Sequence, residues 1–239
     1  MVRFYNVIEL ESQIKEISHQ NIIKNDELIV PLLAIEIDIT ESKIYLVMPY
    51  FALGDLSGTI YNNFMKNQPF SERMVIQFLT KASLALSYLL SNNIVHRDVK
   101  SSNFLVTKHT HDELDCVLSD FGFATSVSNI QMVIDDSSCT MKYASPELIE
   151  TEMSTFKGDV FSLGCTLFEM MSFDFNTMLW KVIEQDEIKA KLFIKERIHK
   201  NFSEYSTACV DLVLSMLEKD PNNRPDYESI IKIAKEHYC

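Results

Sequence analysis

The hydrophobic period changes once along this chain of 239 residues, and that change limits the fold more than any other feature. In the first fifty residues, β-branched and aromatic side chains gather in two runs, IVPLLAIEIDI (29–39) and KIYLVMPYF (43–51), separated by the turn-like TES. Two such runs around a short polar link predict a β-hairpin. Ahead of them, ELESQIKEISHQNIIK (9–24) repeats isoleucine at helical intervals among charges and predicts a helix. FALGDLSGTI (51–60) then leads, with two glycines, into helical territory. SERMVIQFLTKASLALSYLLS (71–91) carries a continuous apolar stripe behind Ser71, a natural N-cap, and predicts a long, largely buried helix. Short apolar runs follow at NFLV (103–106) and DCVLSD (115–120), and from about residue 157 onward the pattern is helical again. The expectation is a small β-rich part followed by a larger helical one, with the boundary near Met48–Leu53.

Composition removes several function classes. With 22 basic and 34 acidic residues the formal net charge is −12. That is a poor balance for nucleic-acid binding, which needs clustered Lys and Arg. The excess acid serves solubility, or else favours basic substrates. The five cysteines are scattered at 116, 139, 165, 209 and 239, with neither a zinc spacing nor a disulfide framework, so a reduced compartment is expected, cytoplasm or nucleus. The N-terminal MVRFYNVIELESQ lacks the uninterrupted apolar segment of a signal peptide, and no run is expected to reach the roughly 18 apolar residues of a membrane helix. No nucleic-acid or membrane partner is therefore expected.

The chemistry-bearing residues fall in five short segments: IVHRDVKSSNFLV (94–106), VLSDFG (117–122), YASPE (143–147), GDVFSLG (158–164) and DPNNRP (220–225). In content and order they resemble the catalytic loop H-R-D-x-K-x-x-N, the D-F-G, the A-P-E and the later helical Asp of eukaryotic-type protein kinases of serine/threonine type. One three-residue match would mean little, but five in family order are specific. The resemblance covers roughly residues 9 to 239. It implies an α+β, bilobal, protein-kinase-like fold. Residues 1–50 would form a truncated β-rich N-lobe (the family's αC helix and its fourth and fifth strands), and residues 51–239 a helical C-lobe with the catalytic loop and activation segment.

The same resemblance assigns roles. Phosphoryl transfer needs a positioned nucleophile and neutralised developing charge. Asp98 would orient the substrate hydroxyl and accept its proton, and Lys100 would sit near the transferring γ-phosphate of ATP. Asn103 and Asp120 would hold Mg²⁺, a hard cation that takes oxygen ligands. Asp159 would anchor the catalytic-loop backbone, Glu147 and Arg224 would form a buried ion pair, and His96 would stack on Phe121. Phe161 stands where the family usually has Trp. On the ATP side, Met48 would be the gatekeeper, Phe51 would offer its backbone N–H to adenine, and Leu105 would pack beneath the ring. Asp55 has two readings, a ribose contact or a helix N-cap.

The match fails at the beginning. The family's G-x-G-x-x-G loop and V-A-I-K strand have no counterpart, for the five glycines are at 54, 58, 122, 158 and 164. VRFY (2–5) reads as the end of that strand, with Arg3 near the lysine position, where a planar guanidinium does not replace an ammonium. The glutamate that would pair with the lysine is Glu16 in one register; a second register puts Leu10 there. Two functions stay open: a serine/threonine kinase using ATP and Mg²⁺ on a protein substrate, and a pseudokinase acting as a binding scaffold. Either is compatible with a regulatory protein partner. A small-molecule kinase is disfavoured by the activation segment. Lys100 and Thr140 are of the serine/threonine type. Asp135 and Asp136 could face Arg97 as a built-in substitute for loop phosphorylation, or be solvated acids beside a phosphosite at Ser137 or Ser138.

Overall fold

In the computed structural model, which describes residues 2–3, 25–38, 40, 43–126, 141–153, 155–202 and 204–238, the two apolar runs pair as expected. β2 (Ala34–Asp38) and β3 (Lys43–Val47) are antiparallel, with Ala34 opposite Val47 and Asp38 opposite Lys43. β1 (Val2–Arg3) lies on the other side of β3 and sets Arg3 opposite Leu46, so the sheet order is β1-β3-β2. The first strand of the hairpin is shorter than its apolar run. Residues 28–30 leave the small sheet and dock on the larger part: the Val30 N–H donates to the Leu118 carbonyl at 2.9 Å, and the Leu118 N–H donates to the Leu28 carbonyl at 2.9 Å. Ile29 and Val30 are buried there. Pro31, without an N–H, cannot carry a ladder onward. The helix expected over 9–24, with Glu16 and Leu10, lies outside the described residues.

The larger part begins with α1 (Leu56–Met65), capped by Asp55, and α2 (Glu72–Ser91), capped by Ser71, whose hydroxyl accepts from the Met74 N–H at 3.3 Å. α2 corrects one expectation: by length and apolar content it is long enough to cross a membrane. Its apolar side faces protein, for Val75, Phe78, Leu79, Ala82, Leu86 and Leu89 are all buried in the core.

After β4 (Ile94–Val95) comes the hairpin of β5 (Phe104–His109) and β6 (Leu114–Leu118), and then β7 (Thr125–Ser126), which returns to pair with β4. The remaining helices are α3 (Pro146–Thr151), α4 (Phe156–Ser172), α5 (Leu179–Gln185), α6 (Glu187–Asn201), α7 (Thr207–Met216) and α8 (Tyr227–Tyr238). α4 is buried along nearly its whole length, and α2, α6 and α7 pack against it. Gly164 lets α7 approach: a Cβ there would lie 3.0 Å from Leu217 Cδ2 and 3.2 Å from Met216 Cβ. A helix this deeply buried is a rigid post, and it carries the residues that hold the site.

Candidate active site

The loop between β4 and β5 has little regular structure of its own, yet its backbone is fixed from α4. Asp159, in the first turn of α4 and 2% exposed, accepts the His96 N–H at 2.9 Å and the Arg97 N–H at 2.8 Å. These two bonds hold Arg97 at φ 69°, a left-handed conformation that a non-glycine residue adopts at a cost of order 1–3 kcal/mol. The Arg97 guanidinium donates to the Phe123 carbonyl at 3.2 Å, tying the loop to the segment after β6. Burial pushes the Asp159 carboxyl up to about 6, against the two amide bonds that favour its charged form.

The turn at Arg97 aims Asp98 inward. Its carboxylate, with the residue 6% exposed, accepts the Lys100 ammonium at 2.6 Å and the Asn103 amide at 2.9 Å. The same Asn103 NH₂ donates to the Asp98 carbonyl at 2.7 Å. Both of its donors are thus spent on Asp98, and the amide oxygen remains to accept. Three of the four expected catalytic residues therefore meet in one hydrogen-bonded group.

Asp120 is delivered by the β5–β6 pairing. Phe104 lies opposite Leu118, so Asn103 faces Ser119, whose N–H and hydroxyl both reach the Asn103 carbonyl, at 2.8 and 2.9 Å. On the other side the His96 ring nitrogen meets the Ser119 carbonyl at 3.2 Å. Phe121 stacks edge-on against His96 with centroids 5.3 Å apart, both residues fully buried. Asp120 sits between these fixed neighbours at φ 68°, its carboxylate 3.5 Å from the Gly122 N–H. A cation at Asn103 and Asp120 would find oxygen donors on two anchored backbones, which suits a hard divalent ion.

Of the residues expected to touch ATP, Met48, Phe51, Asp55 and Leu105 lie among the described residues. The Gly54 N–H donates to the Phe51 carbonyl at 3.0 Å, making a tight turn, and among the described residues the Phe51 N–H bonds nothing. Asp55 forms a β-bridge with Leu105, and the Val106 N–H donates to the Gly54 carbonyl, so this connection runs beside Leu105. Asp55 itself is the N-cap of α1, accepting the Gly58 N–H at 2.7 Å. One oxygen of that carboxylate thus serves an orphan helix donor, as the capping reading has it. Met48 follows β3 directly and is half-buried. Thr140, Asp135, Asp136, Ser137 and Ser138 lie outside the described residues. A groove of about 800 Å³ between α2, the β5–β6 hairpin and α8 includes none of these site residues.

The Glu147–Arg224 pair is bidentate, 2.7 Å at both nitrogens, with the Arg224 side chain wholly buried over the Phe161 ring. One cluster was not read from the sequence. Glu169, on α4 and 3% exposed, accepts Ser101 at 2.8 Å, Tyr143 at 2.6 Å and the Lys142 ammonium at 2.6 Å. It ties the catalytic loop to the segment before α3. The available signal was a lone acid inside the apolar run FSLGCTLFEMM, since a buried carboxylate needs partners. Burial and the neighbouring Glu169 push the Tyr143 hydroxyl far above its ordinary range.

Comparison with known proteins shows the family. The family model of the protein kinase domain matches residues 6–236, and the chain belongs to that family. Its fold is the bilobal α+β kinase fold. It is 31% identical over 193 residues to the probable serine/threonine-protein kinase nek3 of Dictyostelium discoideum, covering 80% of this chain and 17% of that protein. It is 32% identical over 194 residues to the serine/threonine-protein kinase Nek3 of Oryza sativa subsp. japonica, covering 78% and 30%. Against the serine/threonine-protein kinase Nek4 of Mus musculus it is 29% identical over 196 residues, covering 79% and 23%. The chain thus spans less than a third of the length of these relatives.

Proposed function

We propose that this chain is the catalytic unit of a serine/threonine protein kinase, moving the γ-phosphate of ATP to a hydroxyl of a protein substrate. The observation that carries the reading is the Asp98 carboxylate held between Lys100 and Asn103 on a backbone strained at Arg97 and fixed by Asp159. Nothing about folding alone requires that arrangement, and strain of this kind collects at functional sites. Asp98 is oriented to receive a hydroxyl and its proton. Lys100 places a positive charge next to that oxygen, where a transferring phosphate would develop negative charge. Asn103 and Asp120 would hold Mg²⁺, which neutralises phosphate charge when bound. Phe51 and Leu105 would receive the adenine.

A pseudokinase scaffold is the second reading. It is favoured by Arg3, which β1 carries opposite Leu46 where the strand reading expects the phosphate-binding lysine. Thermal-shift titration with ATP, with and without Mg²⁺, followed by phosphate transfer to a mixed serine/threonine peptide set, separates them. A modest Mg²⁺-dependent stabilisation that Asp120→Ala removes, with transfer that Asp98→Asn removes, is the expected result. Metal-independent binding unchanged in Asp120→Ala would contradict the site assignment. Metal-dependent binding without transfer would establish the scaffold.

A further inference from the structure

The groove between α2, the turn end of the β5–β6 hairpin and α8 holds about 800 Å³ and takes no part in the candidate active site. Its long wall is one face of α2. Arg73, Gln77, Lys81 and Leu84 follow at intervals of four, four and three residues, so they stack along that face for about 16 Å. The floor is apolar: Ile76 and Leu114 are 5% and 2% exposed, and Leu84 is left 36% exposed. The walls are tied to one another. The Gln77 amide oxygen accepts the Leu114 N–H at 3.2 Å, and the Lys81 ammonium meets the two oxygens of Asp115 at 2.9 and 3.2 Å. The Thr107 hydroxyl donates to the same carboxylate at 3.0 Å. A groove braced in this way is preformed, which lowers the ordering cost of filling it.

Charge says what would fill it. The chain carries a formal −12, yet this groove has the opposite sign. Four cations line it, Arg73, Lys81, Lys108 and Lys235, against two acids, Glu113 and Asp115. Both acids are already taken, Asp115 by Lys81 and Glu113 by Lys108. Arg73 on α2 and Lys235 on α8 are exposed and form no ion pair among the described residues. Two uncompensated positive charges beside an apolar floor are complementary to a ligand that carries both carboxylates and apolar side chains. Two free cations are too few to follow a nucleic-acid backbone. The hairpin also sets the distance from the chemistry. Lys108, Glu113 and Leu114 lie at its turn, where His109 is opposite Leu114, whereas Asn103 and Asp120 flank its other end, where Phe104 is opposite Leu118. Five strand residues separate the two ends by about 16 Å, so an occupant of the groove leaves Asn103 and Asp120 uncovered.

We infer that this groove docks a partner protein through a short acidic and apolar segment, whose carboxylates meet Arg73 and Lys235 while its apolar side chains cover Ile76, Leu84 and Leu114. The inference goes beyond phosphate transfer and is tested by binding alone, so its failure and the failure of the kinase reading are separate results. Three labelled peptides of about twelve residues are titrated with the full chain and followed by fluorescence anisotropy. One has Glu with Leu at helical intervals, the second has Lys in place of each Glu, and the third has Ser in place of each Leu.

The expected result is that the Glu/Leu peptide binds about tenfold more tightly than either of the others. Arg73→Glu/Lys235→Glu should weaken it by about tenfold or more, and Leu84→Gln should weaken it as well. Lys181→Glu/Lys200→Glu makes the same change in total charge on α5 and α6, outside the groove, and should alter binding by less than about twofold. The comparison of the three peptides on the unmodified chain decides the matter even where a variant fails to fold. A Lys/Leu peptide that binds as tightly as Glu/Leu would overturn the inference, because the overall acidity would then govern. A Glu/Ser peptide binding equally well would remove the role of the floor and overturn it too. So would equal losses in the two double variants, or no binding of the Glu/Leu peptide up to about 1 mM. Calorimetric binding of sodium dodecanoate that Arg73→Glu/Lys235→Glu abolishes, with no peptide bound, would make the groove a fatty-acid site and refute protein docking.

Discussion

Replacing Glu147 by alanine should be among the most damaging single changes outside the catalytic loop, and the structure gives the size. All five donors of the Arg224 guanidinium are used. Nη1 and Nη2 each reach Glu147 at 2.7 Å, and the Lys157, Lys219 and Glu218 carbonyls accept at 2.9, 3.0 and 2.8 Å. The side chain is 0% exposed and that of Glu147 15%. Truncating Glu147 leaves the three carbonyl bonds but strands a buried positive charge and two donors. Removing one partner of a buried pair costs about 3–5 kcal/mol. For a chain of 239 residues that is a fall in Tm of about 6–20 °C, at roughly 2–4 °C per kcal/mol. The double change Glu147→Leu/Arg224→Met removes both charges and should be less destabilising than the sum of its parts. A control is close by: Glu150 and Lys219 are paired at 3.8 Å but are 51% and 42% exposed, so Glu150→Ala should cost less than about 1 kcal/mol. Urea unfolding of Glu147→Ala, Glu150→Ala, the double change and its two single changes, Glu147→Leu and Arg224→Met, measures all of this. If Glu147→Ala costs no more than Glu150→Ala, and the double change shows no coupling, the account of this pair is wrong.

Two further outcomes follow from the same core. Gly164→Ala should destabilise by about 1–3 kcal/mol, because the new methyl meets Leu217 and Met216 at 3.0–3.2 Å and outweighs the better helix propensity of alanine; a rise in Tm would show that α7 can yield. Asp159 has a folded pKa of about 6, above the ordinary carboxylate value, so the folded state binds its proton more tightly than the unfolded state does. Its titration therefore contributes stability at low pH that is lost as pH rises from about 4 to 6, with a slope of about 1.4 kcal/mol per pH unit. Denaturation of the unmodified chain and Asp159→Asn across that range should show their stability difference narrowing as pH rises; a difference that is flat in pH would refute the buried-acid assignment.

What the sequence determined by itself is what lies close together along the chain. The α2 helix and its Ser71 cap follow from side-chain period and one local hydrogen bond. The meeting of Asp98, Lys100 and Asn103 follows from their spacing within one loop, since residues two and five apart on a tight turn have few other places to go. The Glu147–Arg224 pair was legible only through family likeness, because nothing local links residues separated by 77 positions. Tertiary structure decided the rest. Residues 28–30 carry strand-like side chains, but they dock on β6 because burial there outweighs continuing the hairpin past Pro31. Asp55 caps α1 because the start of that helix offers an unpaired N–H, which the carboxylate meets at 2.7 Å. The contacts of Glu169 with Ser101, Tyr143 and Lys142 join residues 68, 26 and 27 positions away, and no period or motif encodes them. They exist because a carboxylate buried on the central helix must be satisfied by whatever donors packing brings to it, and packing is a property of the whole chain.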